Sequence, residues 1–323
     1  MGLGGTLITM DSTPDAGDAV SNAGPKAARR IVRRGRRAAA LAALAIAATQ
    51  LLPACGQLGY FLEWPRVATV PEVDWVDATA GVERLELPHP TLEGARVSAV
   101  RAGDPSGRRV VFVHGSPGDA SNWASYLEAC PEGYEYVSID RPGFGFTTPV
   151  DSVASLDDQA AAVLPFLETP SGRGVVLVGW SYGGPVIARV AAAVPERVAG
   201  LVIVAGALDP DLEKVRFLQR VGCVWPFNRF VRDTWRIANE ELIPLARELE
   251  KLREHLPKVE APVRVLHGEQ DSLVPFANVA YMAEQLSGSR DLRLVTFEDE
   301  RHFLPFTRAE AVVGAIEELA QLP

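Results

Sequence analysis

Ser181 stands in Gly179-Trp180-Ser181-Tyr182-Gly183, between an apolar run ending at Val178 and a helical pattern opening near Tyr182. A serine in such a G-x-S-x-G strand-to-helix turn is lifted clear of the sheet, at a helix N-terminus that favours negative charge. Glycines on either side permit close backbone approach and unusual dihedrals. The chemistry this placement offers is nucleophilic attack. A serine hydroxyl is a poor nucleophile near neutral pH, so it needs a base and an acid to orient that base. The 5 histidines stand in different settings. His89 precedes Pro90 in a loop and His255 lies on a charged helical stretch, so both are expected at the surface. His267 directly follows a strand and is expected to be structural. His302 lies in Phe297-Glu298-Asp299-Glu300-Arg301-His302-Phe303, after the last strand pattern and before the last helix.

The elements that must position these groups are legible in the apolar patterning. Short β-branched runs predict strands at Val82–Leu87, Arg96–Arg101, Arg109–His114, Tyr134–Asp140, Gly174–Val178, Ala199–Ala205, Pro262–Leu266 and Asp291–Val295. Helical patterns fall at Ala120–Cys130, Ser155–Glu168, Tyr182–Val194, Phe276–Leu286 and Arg308–Leu322. Asp151 or Ser152 is expected to cap the second, and Pro165 to kink or shorten it. Strands alternating with helices predict an α/β fold, a mostly parallel, doubly wound sheet covered on both faces. Asp209–Glu260 carries no strand pattern and breaks the rhythm. Its helical stretches, Arg229–Ile237 and Pro244–Leu256, predict a helical lid insertion over the sheet edge. Trp225, Phe227, Phe230 and Trp235 would either line an apolar acyl pocket or pack the lid on the core. Arg229, Arg232 and Arg236 would meet an anionic partner or form a solvated face paired with Asp233 and Glu240.

This order of motifs resembles the α/β-hydrolase superfamily, whose chain order is nucleophile, acid, histidine. The resemblance spans residues 82–322 and implies Ser181 as nucleophile. His267-Gly268-Glu269-Gln270-Asp271-Ser272-Leu273-Val274-Pro275 resembles the family's acid loop and implies Asp271 as the acid, with Asp209 the rival after the preceding strand. His302 sits where the family carries its catalytic histidine. The family often has glycine before that histidine; here it is Arg301. His114-Gly115-Ser116-Pro117-Gly118 resembles the oxyanion-hole loop, which implies the Ser116 and Tyr182 backbone N–H groups as donors and leaves His114 structural. Asp140-Arg141-Pro142-Gly143-Phe144-Gly145 resembles a family turn and is assigned a structural role. The implied activity is cleavage of a carboxylic ester or related acyl bond of a small-molecule substrate through an acyl-enzyme. Acyl transfer and amide or carbon–carbon hydrolysis remain open on the same residues. A serine at 181 sets aside the relatives that use an aspartate nucleophile. From another class, a lipid-anchored binding protein without turnover also remains open. No cofactor and no metal are implied.

Composition and the leader complete the reading. The chain has 323 residues, 47% hydrophobic and 23% charged, with a net charge of −9. That is an ordinary globular composition, and its acidity argues against a nucleic-acid partner. Before Cys55 there are 7 basic and 3 acidic residues, which leaves 25 basic and 38 acidic from Cys55 onward, a net of −13. The basic cluster runs into Ala38–Leu52, too short an apolar run for a spanning helix, and ends in Leu52-Pro53-Ala54-Cys55. This resembles the lipobox of bacterial lipoproteins. It predicts residues 1–54 as leader and signal peptide, acylation at Cys55, residues 55–80 as tether and lead-in, and residues 81–323 as the hydrolase domain with the insertion at about 209–260. Translation starting further in, for example at Val32, would give a signal of ordinary length. The expected location is the bacterial cell envelope, lipid-anchored to a membrane. With 3 cysteines the chain has no disulfide scaffold, though Cys130 and Cys223 could pair.

Overall fold

Two of the dense β-branched runs, Arg108–Val113 and Val175–Trp180, form the centre of an eight-stranded sheet. The structure is a computed structural model and describes residues 75–149, 151–214 and 233–322. By its contacts the chain divides into two units, residues 1–59 and 60–323, and every described residue belongs to the second. The leader, Cys55, Val32, Trp225, Phe227, Phe230, Arg229, Arg232 and Cys223 lie outside the described residues. Among the described residues no helix is long and apolar enough to cross a membrane.

The strands are β1 (Val82–Pro88), β2 (Arg96–Gly103), β3 (Arg108–Val113), β4 (Tyr134–Ile139), β5 (Val175–Trp180), β6 (Val198–Val204), β7 (Val263–Gly268) and β8 (Leu292–Phe297). They lie in the order β1-β2-β4-β3-β5-β6-β7-β8. Only β2 runs against the rest, pairing antiparallel with both β1 and β4. From β4 to β8 every pairing is parallel. Among the described residues the α-helices of five or more residues are α1 (Ala124–Glu128), α2 (Leu156–Ala161), α3 (Gly183–Ala193), α4 (Asp233–Leu242), α5 (Leu245–Arg253), α6 (Ala277–Gln285) and α7 (Ala309–Gln321).

The central strands β3, β5, β6 and β7 are largely apolar without alternation because both faces are covered. Val111, Val113, Leu177 and Ile203 point to one core with α2, α3 and α5. Their neighbours Val110, Phe112, Val178 and Val202 point to the other, with Trp123 and with Ile316 and Leu319 of α7. This is the doubly wound arrangement the alternation predicted. At the rims β1 and β8 depart from it: β1 mixes exposed with half-buried positions, and Leu294 and Val295 of β8 are exposed.

Local chemistry sets the helix ends. Ser155, rather than Asp151 or Ser152, caps α2: its hydroxyl accepts from the Asp158 N–H at 3.2 Å. The α-helical path then ends at Ala161, and Leu164–Leu167 continues as a 3₁₀ turn with Pro165 at its start. Pro185, in the first turn of α3, lacks only an N–H that has no intrahelical acceptor there. Within the insertion, α5 belongs to the main core: Leu245, Leu249 and Leu252 are buried with α3 and the sheet. Leu249→Ala is therefore expected to destabilise the domain by about 2–5 kcal/mol, read as a lower midpoint in urea with an unchanged slope. A surface-lying helix would lose far less.

Candidate active site

The elbow is built by a strand that ends abruptly and a helix that starts at once. Ser181 has φ 56°, a left-handed conformation that a serine adopts only under constraint. The constraint is visible on both sides. The Ser181 N–H donates to the Val204 carbonyl at 2.9 Å, and its carbonyl accepts from the Gly184 and Ala207 N–H groups at 3.0 and 3.3 Å. The flanking glycines serve close packing, not a positive φ of their own. A Cβ on Gly179 would strike the Gly183 carbonyl, and one on Gly183 would strike the Val113 carbonyl. The strained dihedral falls on the serine itself, which remains partly accessible while Trp180 and Tyr182 are buried.

The loops after β7 and β8 bring the acid and the histidine together. His302 Nδ1 lies 2.7 Å from Asp271 Oδ2, with both side chains buried. The other oxygen of Asp271 accepts from the Leu273 and Val274 N–H groups, each at 2.9 Å. The carboxylate is thus locked in one rotamer, and His302 Nδ1 is the donor. The two loops are stitched by backbone: Gln270 N–H donates to Glu300 O at 3.0 Å, and Glu269 N–H to Phe297 O at 2.9 Å. A side chain on Gly268 would collide with the carbonyls of Glu300 and Arg301, so the loops sit as close as backbones allow. Trp180 joins the elbow to the histidine loop: its indole N–H donates to the His302 carbonyl at 3.0 Å, and the two rings lie 5.5 Å apart.

The other histidines and the rival acid have separate employment. Asp209 caps a 3₁₀ turn, its carboxylate accepting from the Asp211 N–H at 2.9 Å. His267 is buried and its Nε2–H donates to the Val274 carbonyl at 3.0 Å; Asp271 Oδ2 lies 3.7 Å from the same nitrogen. Desolvation keeps His267 below the usual histidine pKa. His89, expected at the surface, is buried instead. Its Nδ1 accepts from the Thr91 and Leu92 N–H groups at 3.2 and 3.1 Å, so its Nε2–H donates to the Asp158 carbonyl at 3.0 Å. Both donors are backbone N–H groups that any residue but proline supplies, so no residue type marked this in the sequence. Arg236 pairs with Glu240 at 3.0 Å as a helical surface pair. Cys130 is a free thiol.

The loop from His114 to Gly118 approaches the elbow directly: a Cβ on Gly115 would sit 3.0 Å from the Ser181 Cβ. His114 Nε2 accepts from the Arg141 N–H at 3.0 Å, so Nδ1 carries the proton and donates to the Gly115 carbonyl at 2.7 Å. Full burial, with the Arg141 charge beside it, holds His114 well below the usual histidine pKa. It is neutral and structural. Neither the Ser116 N–H nor the Tyr182 N–H has a backbone acceptor among the described residues. Asp140, at the end of β4, accepts from the Ala120 N–H at 2.7 Å and from the Phe146 N–H and Arg84, both at 3.1 Å, and so folds the 140–146 turn. Among the described residues no cluster of side chains suits a metal ion.

Residues 110–315 match the Alpha/beta hydrolase family, and the chain belongs to that family. One relative is the dihydrolipoyllysine-residue acetyltransferase component of the acetoin cleaving system of Cupriavidus necator, 32% identical over 35% of this chain; the match spans only 30% of that protein. Another is the bifunctional esterase/perhydrolase DCH of Acinetobacter calcoaceticus, 27% identical over 63% of this chain and 88% of that one. Among solved structures, a membrane phospholipase A described as a bacterial virulence factor aligns with a TM-score of 0.56 and 19% identity, over 88% of this chain and 99% of that one, a likeness of fold. Haloperoxidases of the family are also relatives.

Proposed function

We propose that the protein is a serine hydrolase that cleaves a carboxylic ester or related acyl bond through an acyl-enzyme. The observation that carries this reading is the buried hydrogen bond of 2.7 Å between His302 Nδ1 and Asp271 Oδ2, in loops adjoining an elbow that strains Ser181 to φ 56°. A surface histidine would have no reason to be tautomerically fixed by a locked carboxylate. With Nδ1 protonated, Nε2 is left as the base.

In this mechanism the Ser181 Oγ attacks the acyl carbon while His302 Nε2 takes its proton. Asp271 stabilises the imidazolium without itself being protonated. The Ser116 and Tyr182 N–H groups receive the oxyanion. The leaving group departs with the proton from His302. Water, deprotonated by the same nitrogen, then cleaves the acyl-enzyme and frees the acid and Ser181. An acceptor alcohol or thiol in place of water would give acyl transfer. The esterase/perhydrolase relative favours ester chemistry as the first assay. The test is labelling by a fluorophosphonate probe, with turnover of p-nitrophenyl esters of graded chain length. Modification at Ser181 with ester turnover supports the reading; a chain that neither labels nor turns over overturns it.

We also propose that the enzyme works at the bacterial cell envelope, anchored through an acylated Cys55, because the basic cluster, short apolar run and Leu-Pro-Ala-Cys end form a lipobox-like leader. Cells fed an alkyne fatty acid should label the wild-type chain and not Cys55→Ser. Equal labelling of both would remove the anchor from this account.

A further inference from the structure

Arg141 is one of the largest side chains in the fold that is wholly buried, and every direction its guanidinium faces is occupied. Its Nε donates to the His114 carbonyl at 3.1 Å and its Nη2 to the Gly115 carbonyl at 2.9 Å. The same fork grips Glu241 of α4 at both oxygens, at 2.9 and 3.0 Å, and its Nη1 donates to Gln159 Oε1 at 3.1 Å. Its Cζ lies over the Tyr182 ring, 4.4 Å from the ring centre. Gln159 in turn donates to the carbonyls of Pro142 and Val153, at 3.2 and 2.8 Å, so the network is tied to the turn that presents Arg141.

A buried ion pair contributes little net stability, since removing two charges from water offsets most of their attraction. Its geometry is more informative. In a trans peptide the C=O and N–H point in opposite directions. Fixing the Gly115 carbonyl from the Arg141 side therefore aims the Ser116 N–H away from Arg141, in a loop whose Gly115 closely approaches the Ser181 Cβ. His114 Nδ1–H grips the same carbonyl, so that peptide plane is held twice. The ring of Tyr182, whose own N–H is the second proposed donor, is packed under the same guanidinium.

We propose that Arg141, held by Glu241 of the inserted segment, is a positioning residue for the oxyanion hole. It clamps the Gly115–Ser116 peptide and the Tyr182 side chain as one unit. The inserted helix α4 is then part of the catalytic scaffold: a chain in which Glu241 releases Arg141 has a loosened hole. This inference rests on the serine-hydrolase reading and deepens it.

Arg141→Lys keeps a charge but loses the fork, and Glu241→Gln keeps the shape but loses the ion pair. The expected result is a fall in kcat of about 10–100-fold for Arg141→Lys, less than the ~10²–10³-fold of outright donor loss, and about 3–10-fold for Glu241→Gln. KM should stay within about 3-fold, because the ground-state carbonyl leans little on the hole. Affinity for a trifluoromethyl ketone, which forms a tetrahedral adduct on Ser181, should weaken in step with kcat/KM. A merely structural role would not move those two together. Cooperative thermal melting identifies the folded variants. If no folded variant shows the kcat-selective loss with parallel loss of ketone affinity, the proposal falls. Wild-type chain that neither labels with fluorophosphonate nor hydrolyses esters would instead overturn the serine-hydrolase reading beneath it.

Discussion

Ser181→Ala is expected to lower ester turnover by roughly 10⁴–10⁶-fold, the scale seen when the nucleophile of a serine triad is removed. The substitution deletes one oxygen and leaves the rest of the machinery in place. The backbone bonds that fix the elbow, from Ser181 N–H to Val204 and from Gly184 and Ala207 to the Ser181 carbonyl, do not involve the hydroxyl. Alanine carries the same Cβ at φ 56°, so the strain is unchanged and the melting temperature should move little. Glycine is the informative comparison. Ser181→Gly removes the Cβ that makes this dihedral costly and should be more stable than Ser181→Ala by about 1 kcal/mol, with equally little activity. Initial rates on an aryl ester, fluorophosphonate labelling and thermal melts of the three chains check both halves. Turnover within tenfold of wild type in Ser181→Ala would remove the serine from the mechanism. Equal stability of the alanine and glycine variants would mean the elbow is not strained.

Much of this arrangement was legible in the sequence, for a physical reason. A central strand buried on both faces must be apolar at every position, so Arg109–His114 and Gly174–Val178 announced themselves by composition alone. The elbow, the acid loop and the histidine loop each follow such a strand, and strand ends are fixed by the same apolar runs. Less legible were features decided by competition between equally good local signals. Asp151, Ser152 and Ser155 are all competent caps; Ser155 takes the role because Asp158 presents its N–H there. Asp209 and Asp271 both follow strands. What separates them is the histidine loop beside β7, and that proximity comes from the β7–β8 pairing rather than from any local pattern.

The features that escaped a sequence reading altogether are held by partners far apart in the chain. Arg141 looked structural because it offers no reacting group, and it offers none. Its importance rests on Glu241, one hundred positions later, and on carbonyls that any residue would supply. Trp180 was visible only as the variable position of the elbow motif. Its indole N–H proves to hold the backbone of the loop that carries His302. The helix expected over Arg229–Ile237 runs, in the described residues, on to Leu242. The added turn is the one that carries Glu241 to Arg141, a contact that helical periodicity cannot foresee.

Asp271→Asn should lower kcat by about 10⁴-fold while leaving the fold and substrate affinity nearly intact. Asp271 has two separate tasks, one for each oxygen. One oxygen accepts from the Leu273 and Val274 N–H groups, and an asparagine amide oxygen can do the same, so the loop keeps its shape. The other faces His302 Nδ1 at 2.7 Å, and there asparagine must present its NH₂. Two donors cannot face each other, so the imidazole shifts its proton from Nδ1 to Nε2. The nitrogen needed to accept the serine proton is then already protonated, and His302 stands in place but in the wrong tautomer. Flipping the amide instead would restore the histidine bond at the cost of setting the NH₂ against two backbone N–H groups, in a buried site where an unmatched donor costs about 1–3 kcal/mol. Initial ester rates of both chains near neutrality read this directly, and asparagine activity within tenfold of wild type would mean that Asp271 does not set the tautomer of His302.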